Sequence, residues 1–128
     1  KAFGVRNAAW VEEVRSWLAG VTAPSNLAAV LLDVYAPVER GGTGRPFNWR
    51  LVADARAAGA MAGMEPIILA GGLDSSNVGP AIDLVAPWAV DVATGVESAP
   101  GVKDLRKVES FLRAAGKGDE LRTEFWQP

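Results

Sequence analysis

An aspartate marks the end of the second predicted strand. Asp33 closes the run "AAVLLD", and the segment that follows carries the glycine-rich loop "RGGTG". A carboxyl group at the rim of a sheet is a candidate general acid, because such groups exchange protons with a bound substrate. A glycine-rich loop beside it is a candidate active-site loop that closes over the acid. The residues of this loop are Arg40, Gly41, Gly42, Thr43 and Gly44.

Two turns that contain glycine follow the third and fourth predicted strands. Gly71 and Gly72 follow "PIILA", and Thr94 and Gly95 follow "AVDVA". Glycine lets the backbone approach a ligand closely, and the exposed amide groups of such turns bind anions. A single Gly-Gly pair after a strand is usually turn chemistry alone. A second such turn on the next unit favours a phosphate site.

The composition excludes several classes of chemistry. The 128 residues include no cysteine and no histidine, which removes disulfides, thiolate zinc sites, cysteine nucleophiles and serine–histidine arrangements from this sequence. The formal net charge of −2 argues against a nucleic-acid or anionic-membrane surface. No apolar run reaches the ~20 residues of a membrane span. We expect a cytoplasmic protein, which the lack of cysteine fits.

Four repeated strand–helix units must position these residues. Apolar runs predict strands at residues 1–5, 28–34, 66–70 and 89–93, and each is followed by a segment with helical character. This alternation is typical of an α/β fold with a parallel sheet. Two architectures fit, an open doubly wound sheet or part of a (βα)8 barrel. In both, functional residues lie just beyond the carboxyl ends of the strands.

Further predictions concern the bounds, caps and buried faces of the helices. Residues 49–58 are predicted to form the second helix, and Asp104 is predicted to cap the last one. The residues expected to cap the third helix are Asp74, Ser75 or Ser76. The side chains expected to face the core from the last helix are Leu105, Val108, Phe111 and Leu112.

Three segments together resemble a known family. "LLDVYAPVERGGTGRPFNW", "PIILAGGLDSSNV" and "VDVATGVESAPGVKD" resemble three consecutive signatures of the phosphoribosylanthranilate isomerases, the TIM-barrel enzymes of tryptophan biosynthesis. "KAFGV" is similar to the fifth strand of that family. The resemblance covers residues 1–115 and implies strands five to eight of a (βα)8 barrel. Residues 1–128 are then expected to be the C-terminal part of one barrel domain, with residues 117–128 as a tail.

The resemblance implies an activity and roles for the residues above. Members of this family perform an Amadori rearrangement of N-(5'-phosphoribosyl)anthranilate, without cofactor or metal. The implied general acid is Asp33, acting on the furanose ring oxygen. The residues implied to bind the substrate phosphate are Gly71, Gly72, Thr94 and Gly95. Thr94 departs from the serine common there, and keeps a hydroxyl group.

The rest of the family's site lies on the first half of the barrel. Its general base is a cysteine of the first strand, and an arginine there helps to hold the anthranilate. The first residue, Lys1, is not Met, and we expect that something upstream is missing. The expected partner is therefore the N-terminal half-barrel or, for the chain alone, a second copy that closes an eight-stranded barrel.

Two other functions remain open from the sequence. One is a different phosphosugar barrel enzyme, such as indole-glycerol-phosphate synthase or a histidine-pathway isomerase, which "RGGTG" and "LAGGL" together disfavour. The other is a non-catalytic half-barrel that binds phosphate, which the missing thiol allows.

Overall fold

The computed structural model describes residues 1–23, 26–34 and 48–116. The strands of its main sheet are β1 (Ala2–Gly4), β2 (Val30–Asp33), β3 (Ile67–Ala70) and β4 (Ala89–Val90). The helices are α1 (Trp10–Ala19), α2 (Arg50–Ala57), α3 (Val78–Val85) and α4 (Leu105–Gly116). Between β4 and α4 lie a 3-10 turn (Thr94–Val96) and a hairpin of β5 (Glu97–Ala99) and β6 (Val102–Lys103).

The main sheet is parallel, with its strands in sequence order β1-β2-β3-β4. At its carboxyl edge Gly4 pairs with Asp33, and Asp33 pairs with Ala70. An open doubly wound sheet reverses its strand order at one point, whereas a barrel keeps neighbours in sequence side by side. The observed order has the barrel pattern.

Burial differs between the two faces of the sheet. Along β2, Val30 and Leu32 are buried, Leu31 is partly buried, and Asp33 is exposed. Because side chains alternate across a strand, Val30 and Leu32 share the face that packs against the helices. That face forms one core with buried residues of α1 to α4, among them Val14, Val52, Val78 and Phe111. A doubly wound sheet would place helices on both faces, so the single helix-covered face again favours the (βα)8 barrel.

The predicted strands and helices occur in the predicted order, but most are shorter than expected. The strand predicted at residues 89–93 ends at Val90, because the backbone turns into the 3-10 turn at Thr94. The helix predicted at residues 49–58 spans Arg50–Ala57. The β5–β6 hairpin was not predicted. The loop residues Arg40, Gly41, Gly42, Thr43 and Gly44 and the tail at residues 117–128 lie outside the described residues.

The prediction for α4 was half wrong. Phe111 is buried and Val108 packs against the core, but Leu105 and Leu112 are 81% and 63% exposed. Successive residues turn by about 100° around a helix, so Leu112 lies more than a quarter-turn from Phe111. The predicted cap is present: Asp104 Oδ1 accepts a hydrogen bond from the amide of Arg106 at 2.9 Å.

Among residues 1–23, 26–34 and 48–116, the structure contains no helix with the length and hydrophobicity of a membrane-spanning segment.

Candidate functional site

Asp33 lies at the carboxyl end of β2 with its side chain exposed. Its backbone carbonyl accepts a hydrogen bond from the amide of Val5 at 2.8 Å, which fixes the residue against β1. Its register neighbours are Gly4 on one side and Ala70 on the other. Neither neighbour carries more than a methyl group, so the carboxyl group stays open to a ligand above the sheet.

The first glycine turn lies against this carboxyl group. Gly71 has φ +98°, and a Cβ atom placed on it would lie 2.6 Å from Asp33 Oδ1 and 2.6 Å from the carbonyl oxygen of Val34. Both the backbone angle and the space therefore require glycine at this position. Gly72 follows with φ +61°. The acid and the predicted phosphate turn are thus immediate neighbours.

The second glycine turn interlocks with the first. A Cβ atom on Gly95 would lie 1.9 Å from the carbonyl oxygen of Leu73 and 2.9 Å from its carbonyl carbon. Such distances leave no room for any side chain, so the turn after β4 packs backbone to backbone on the turn after β3. The structure therefore brings Gly71, Gly72, Thr94 and Gly95 to one end of the sheet together with Asp33.

An asparagine outside the predicted site residues supports the first turn. Asn77 Nδ2 donates a hydrogen bond to the carbonyl oxygen of Gly72 at 2.9 Å, and Asn77 Oδ1 accepts one from the amide of Asp74 at 2.8 Å. The prediction that Asp74, Ser75 or Ser76 caps α3 was wrong. The N-cap position is Asn77, without a side-chain cap bond, and Asp74 instead accepts from the amide of Ser76 at 2.7 Å.

A lysine and a glutamate support the second turn from the hairpin. Lys103 Nζ donates to the carbonyl oxygen of Ala93 at 2.8 Å and to Glu97 Oε1 at 3.0 Å. Glu97 Oε2 accepts from the amide of Gly101 at 3.2 Å, and Lys107 Nζ donates to the carbonyl oxygen of Glu97 at 2.6 Å. The hydrogen bond from Lys103, followed by that from Gly101, lowers the pKa of the Glu97 carboxyl group below its usual value.

A second acid lies at the same edge of the sheet. The amide of Asp91 donates to the carbonyl oxygen of Leu69 at 2.8 Å, which continues the β3–β4 ladder by one residue, and Asp91 is exposed. Strands are ~4.8 Å apart, so the backbones of Asp33 and Asp91 are separated by roughly 10 Å across β3. In residues 1–23, 26–34 and 48–116, no three His, Cys, Asp or Glu residues are grouped to hold a metal ion.

The chain is similar to proteins of one family over most of its length. The profile of the family described as N-(5'-phosphoribosyl)anthranilate (PRA) isomerase matches residues 1–114. A curated N-(5'-phosphoribosyl)anthranilate isomerase from Geobacter sulfurreducens is 45% identical over 115 residues, which cover 90% of this chain and 50% of the relative.

Solved structures give the same result. The phosphoribosyl anthranilate isomerase of Thermotoga maritima superposes with a TM-score of 0.69 at 36% identity, covering 91% of this chain and 50% of that one. A second isomerase structure was solved in complex with reduced 1-(o-carboxyphenylamino)-1-deoxyribulose 5-phosphate. It has a TM-score of 0.66 at 32% identity and covers 91% of this chain and 47% of its own. The chain spans about half the length of the curated relatives it matches. It belongs to the N-(5'-phosphoribosyl)anthranilate isomerase family, and its four-stranded parallel sheet is part of a TIM-barrel-type fold.

Proposed function

We propose that this chain forms strands five to eight of a barrel that isomerises N-(5'-phosphoribosyl)anthranilate in tryptophan biosynthesis. The observation that carries the proposal is the contact between Gly71 and Asp33, which places an exposed acid directly beside a glycine turn. An enzyme that opens a phosphorylated sugar ring needs these two groups together. The proposal includes a cytoplasmic location, where a pathway enzyme without cysteine pairs fits the reducing conditions.

In the proposed reaction, Asp33 donates a proton to the furanose ring oxygen while the nitrogen lone pair helps to break the C1–O bond. The ring opens to a protonated Schiff base, and a base then removes the proton from C2 to give an enolamine. The enolamine takes up a proton at C1 as its 2-hydroxyl group loses one, which gives the 1-deoxyribulose product. The amides of Gly71, Gly72, Thr94 and Gly95 hold the phosphate throughout. The structure of a relative that holds a phosphorylated 1-deoxyribulose analogue supports a substrate of this class.

We place the base outside this sequence, because the family resemblance implies a cysteine of the first strand for this role. Residues 1–128 contain neither cysteine nor histidine, and the four described strands leave β1 and β4 as the edges of the sheet. We assign the base and the contacts to the anthranilate ring to a further half-barrel that pairs with both edges. It is supplied by the same polypeptide or by a separate one, whereas a second copy of this chain would close the barrel without supplying the base.

The test uses an assembled enzyme, in which residues 1–128 are joined to or co-expressed with the N-terminal half of a family member. We expect Asp33→Asn to lower kcat by about 10²–10⁴-fold, the usual contribution of general acid–base groups. The affinity for a reduced 1-deoxyribulose phosphate analogue should persist. The control is Asp54→Asn, the same change at an exposed position of α2. Near-normal turnover of the Asp33 variant would remove Asp33 from the reaction.

A second candidate function is phosphate binding without catalysis, which the lack of cysteine and histidine favours. The same assembled enzyme decides between the two. If the assembled enzyme with unmodified residues 1–128 binds the phosphorylated analogue but shows no turnover, the second function is supported over the first.

A further inference from the structure

The peptide group that precedes the second glycine turn is held by its carbonyl oxygen. Ala93 O accepts a hydrogen bond from Lys103 Nζ at 2.8 Å and a longer one from the amide of Val96 at 3.5 Å. The Ala93–Thr94 peptide bond is trans. Across a trans peptide group the C=O and the following N–H point in opposite directions. Lys103, by fixing the direction of Ala93 O, therefore also fixes the direction of the Thr94 amide.

Lys103 is itself held in place from two sides. Its backbone lies on β6 in register with Glu97 of β5, and its ammonium group pairs with the Glu97 carboxylate at 3.0 Å. Glu97 is in turn fixed by the amide of Gly101 and by Lys107. The ammonium group is thus directed at the back of the Thr94–Val96 turn by a small closed network.

The first glycine turn is held in the same way. Asn77 Nδ2 donates to Gly72 O at 2.9 Å, so the Leu73 amide is turned to the opposite side. Each of the two interlocked turns is therefore held by one side-chain donor on one of its carbonyl oxygens. A preorganised donor binds an anion better than one that must reorient, because no ordering cost remains to be met on binding.

We propose that Lys103 is a positioning residue for the substrate phosphate: it orients the Thr94 amide through Ala93 O and is held for this purpose by Glu97. The inference rests on the proposed function. Lys103 acts from behind the turn and does not itself contact the phosphate. Its effect should therefore appear in the affinity for the phosphate group and hardly in the chemical step.

The main experiment compares Lys103→Met with Lys107→Met in the assembled enzyme. Both variants remove one positive charge from the same network, but only Lys103 donates to Ala93 O. We expect Lys103→Met to weaken the binding of inorganic phosphate and of the phosphorylated product analogue about tenfold or more, as for the loss of a charge-assisted hydrogen bond. Lys107→Met should stay within about threefold, because Lys107 donates to the backbone carbonyl of Glu97 and not to the carboxylate that anchors Lys103.

Two further readouts separate positioning from general damage. In Lys103→Met, KM for the phosphorylated substrate should rise about tenfold with kcat within about threefold, while affinity for a dephosphorylated analogue stays unchanged. Lys103→Arg keeps a charged donor and should recover most of the phosphate affinity. A purely structural role would weaken both analogues alike.

Glu97→Gln gives a test that does not depend on the folding of the methionine variant. It makes the site more positive by one charge, so simple electrostatics predicts tighter phosphate binding. Positioning predicts weaker binding, by a few-fold, because Lys103 loses its anchor. Tighter binding in Glu97→Gln, or equal losses in the two methionine variants, would overturn the inference while leaving the proposed function intact. Failure of the unmodified assembled enzyme to bind phosphate would overturn both.

Discussion

Three glycines allow the effects of backbone strain and of close packing at the site to be separated. Gly101 has φ +76° and open space where a Cβ atom would go. Gly71 has φ +98° and a Cβ position blocked by Asp33 and Val34, and Gly95 has a φ outside the left-handed region but a Cβ position 1.9 Å from Leu73 O. Alanine at Gly101 therefore imposes backbone strain alone. Alanine at Gly71 imposes strain and a steric clash, and alanine at Gly95 imposes a steric clash alone.

The expected losses of unfolding free energy follow from these contacts. Left-handed backbone costs an L-residue roughly 1–2 kcal/mol, and alanine returns about 0.4–1 kcal/mol by restricting the unfolded chain. Gly101→Ala should therefore cost about 1 kcal/mol or less. Overpacking adds roughly 1–3 kcal/mol, so Gly71→Ala should cost about 2–4 kcal/mol. Gly95→Ala should lie at the upper end of that overpacking range, because backbone atoms of Leu73 must move. Less the same unfolded-state return of about 0.4–1 kcal/mol, the cost is about 2–2.6 kcal/mol.

The assay is urea unfolding of the assembled enzyme and its three variants, followed by circular dichroism at one temperature and pH. If the free energy of unfolding falls with urea concentration at the same slope in all four proteins, differences between their midpoints report differences in stability. The expected order of stability is Gly101→Ala above Gly95→Ala, with Gly71→Ala lowest or close to Gly95→Ala. The reasoning would be refuted if Gly95→Ala were as stable as Gly101→Ala, because the two glycine turns would then not be interlocked.

Three further predictions concern the ligand, the pH and the assembly. Gly72→Val places a β-branched residue at φ +61° and should abolish measurable binding of the phosphorylated analogue; unchanged binding in a calorimetric titration would misplace the site. Because folding lowers the pKa of Glu97, its charged carboxylate stabilises the folded state at pH values above the ordinary pKa of 4.5. This stabilisation is lost as the pH falls through the lower pKa of the folded state. The Tm difference between the wild type and Glu97→Gln should therefore be constant near neutrality and vanish at acid pH, and a difference that grew there would contradict the assigned partners. Residues 1–128 alone should self-associate through the edges formed by β1 and β4, whereas a monomer in light scattering at high concentration would contradict this.

The order of the elements could be predicted because the apolar runs are long enough to be recognised in the sequence as buried strands. The runs containing Leu32 and Leu69 are buried on the helix side and were placed within one or two residues of the strand ends. Asp33 and the glycines were placed at the edge of the sheet by the same logic, since parallel strands end together. The close approach of Gly71 to Asp33, where a Cβ atom on the glycine would lie 2.6 Å from Oδ1, depends on the register of β2 and β3, which a sequence pattern does not specify.

The supporting residues could not be predicted, for identifiable reasons. Asn77 was passed over because Asp74 and two serines nearby are equally good cap formers. Lys103 directly precedes the helix cap Asp104 and carries no signal of its own, although the Pro100-Gly101 pair before it is a turn signal and gives the hairpin in which it lies. The exposure of Leu105 shows the same limit, because an apolar residue on a helix does not reveal how wide the buried stripe is.

The sequential strand order has a consequence for how the polypeptide acquires its structure during synthesis. Each of the described strands β2, β3 and β4 pairs with the strand that precedes it in the chain, so each of these units finds its docking partner already synthesised when it leaves the ribosome. The segments closed between neighbouring strands differ less than twofold in length, from Leu31 back to Ala2, from Ile68 back to Leu31 and from Ala89 back to Ile68. Because loop-closure entropy grows only slowly with length, no single docking event is much costlier than the others. Growth of the sheet one unit at a time, in the order of translation, is therefore the expected folding route of this region.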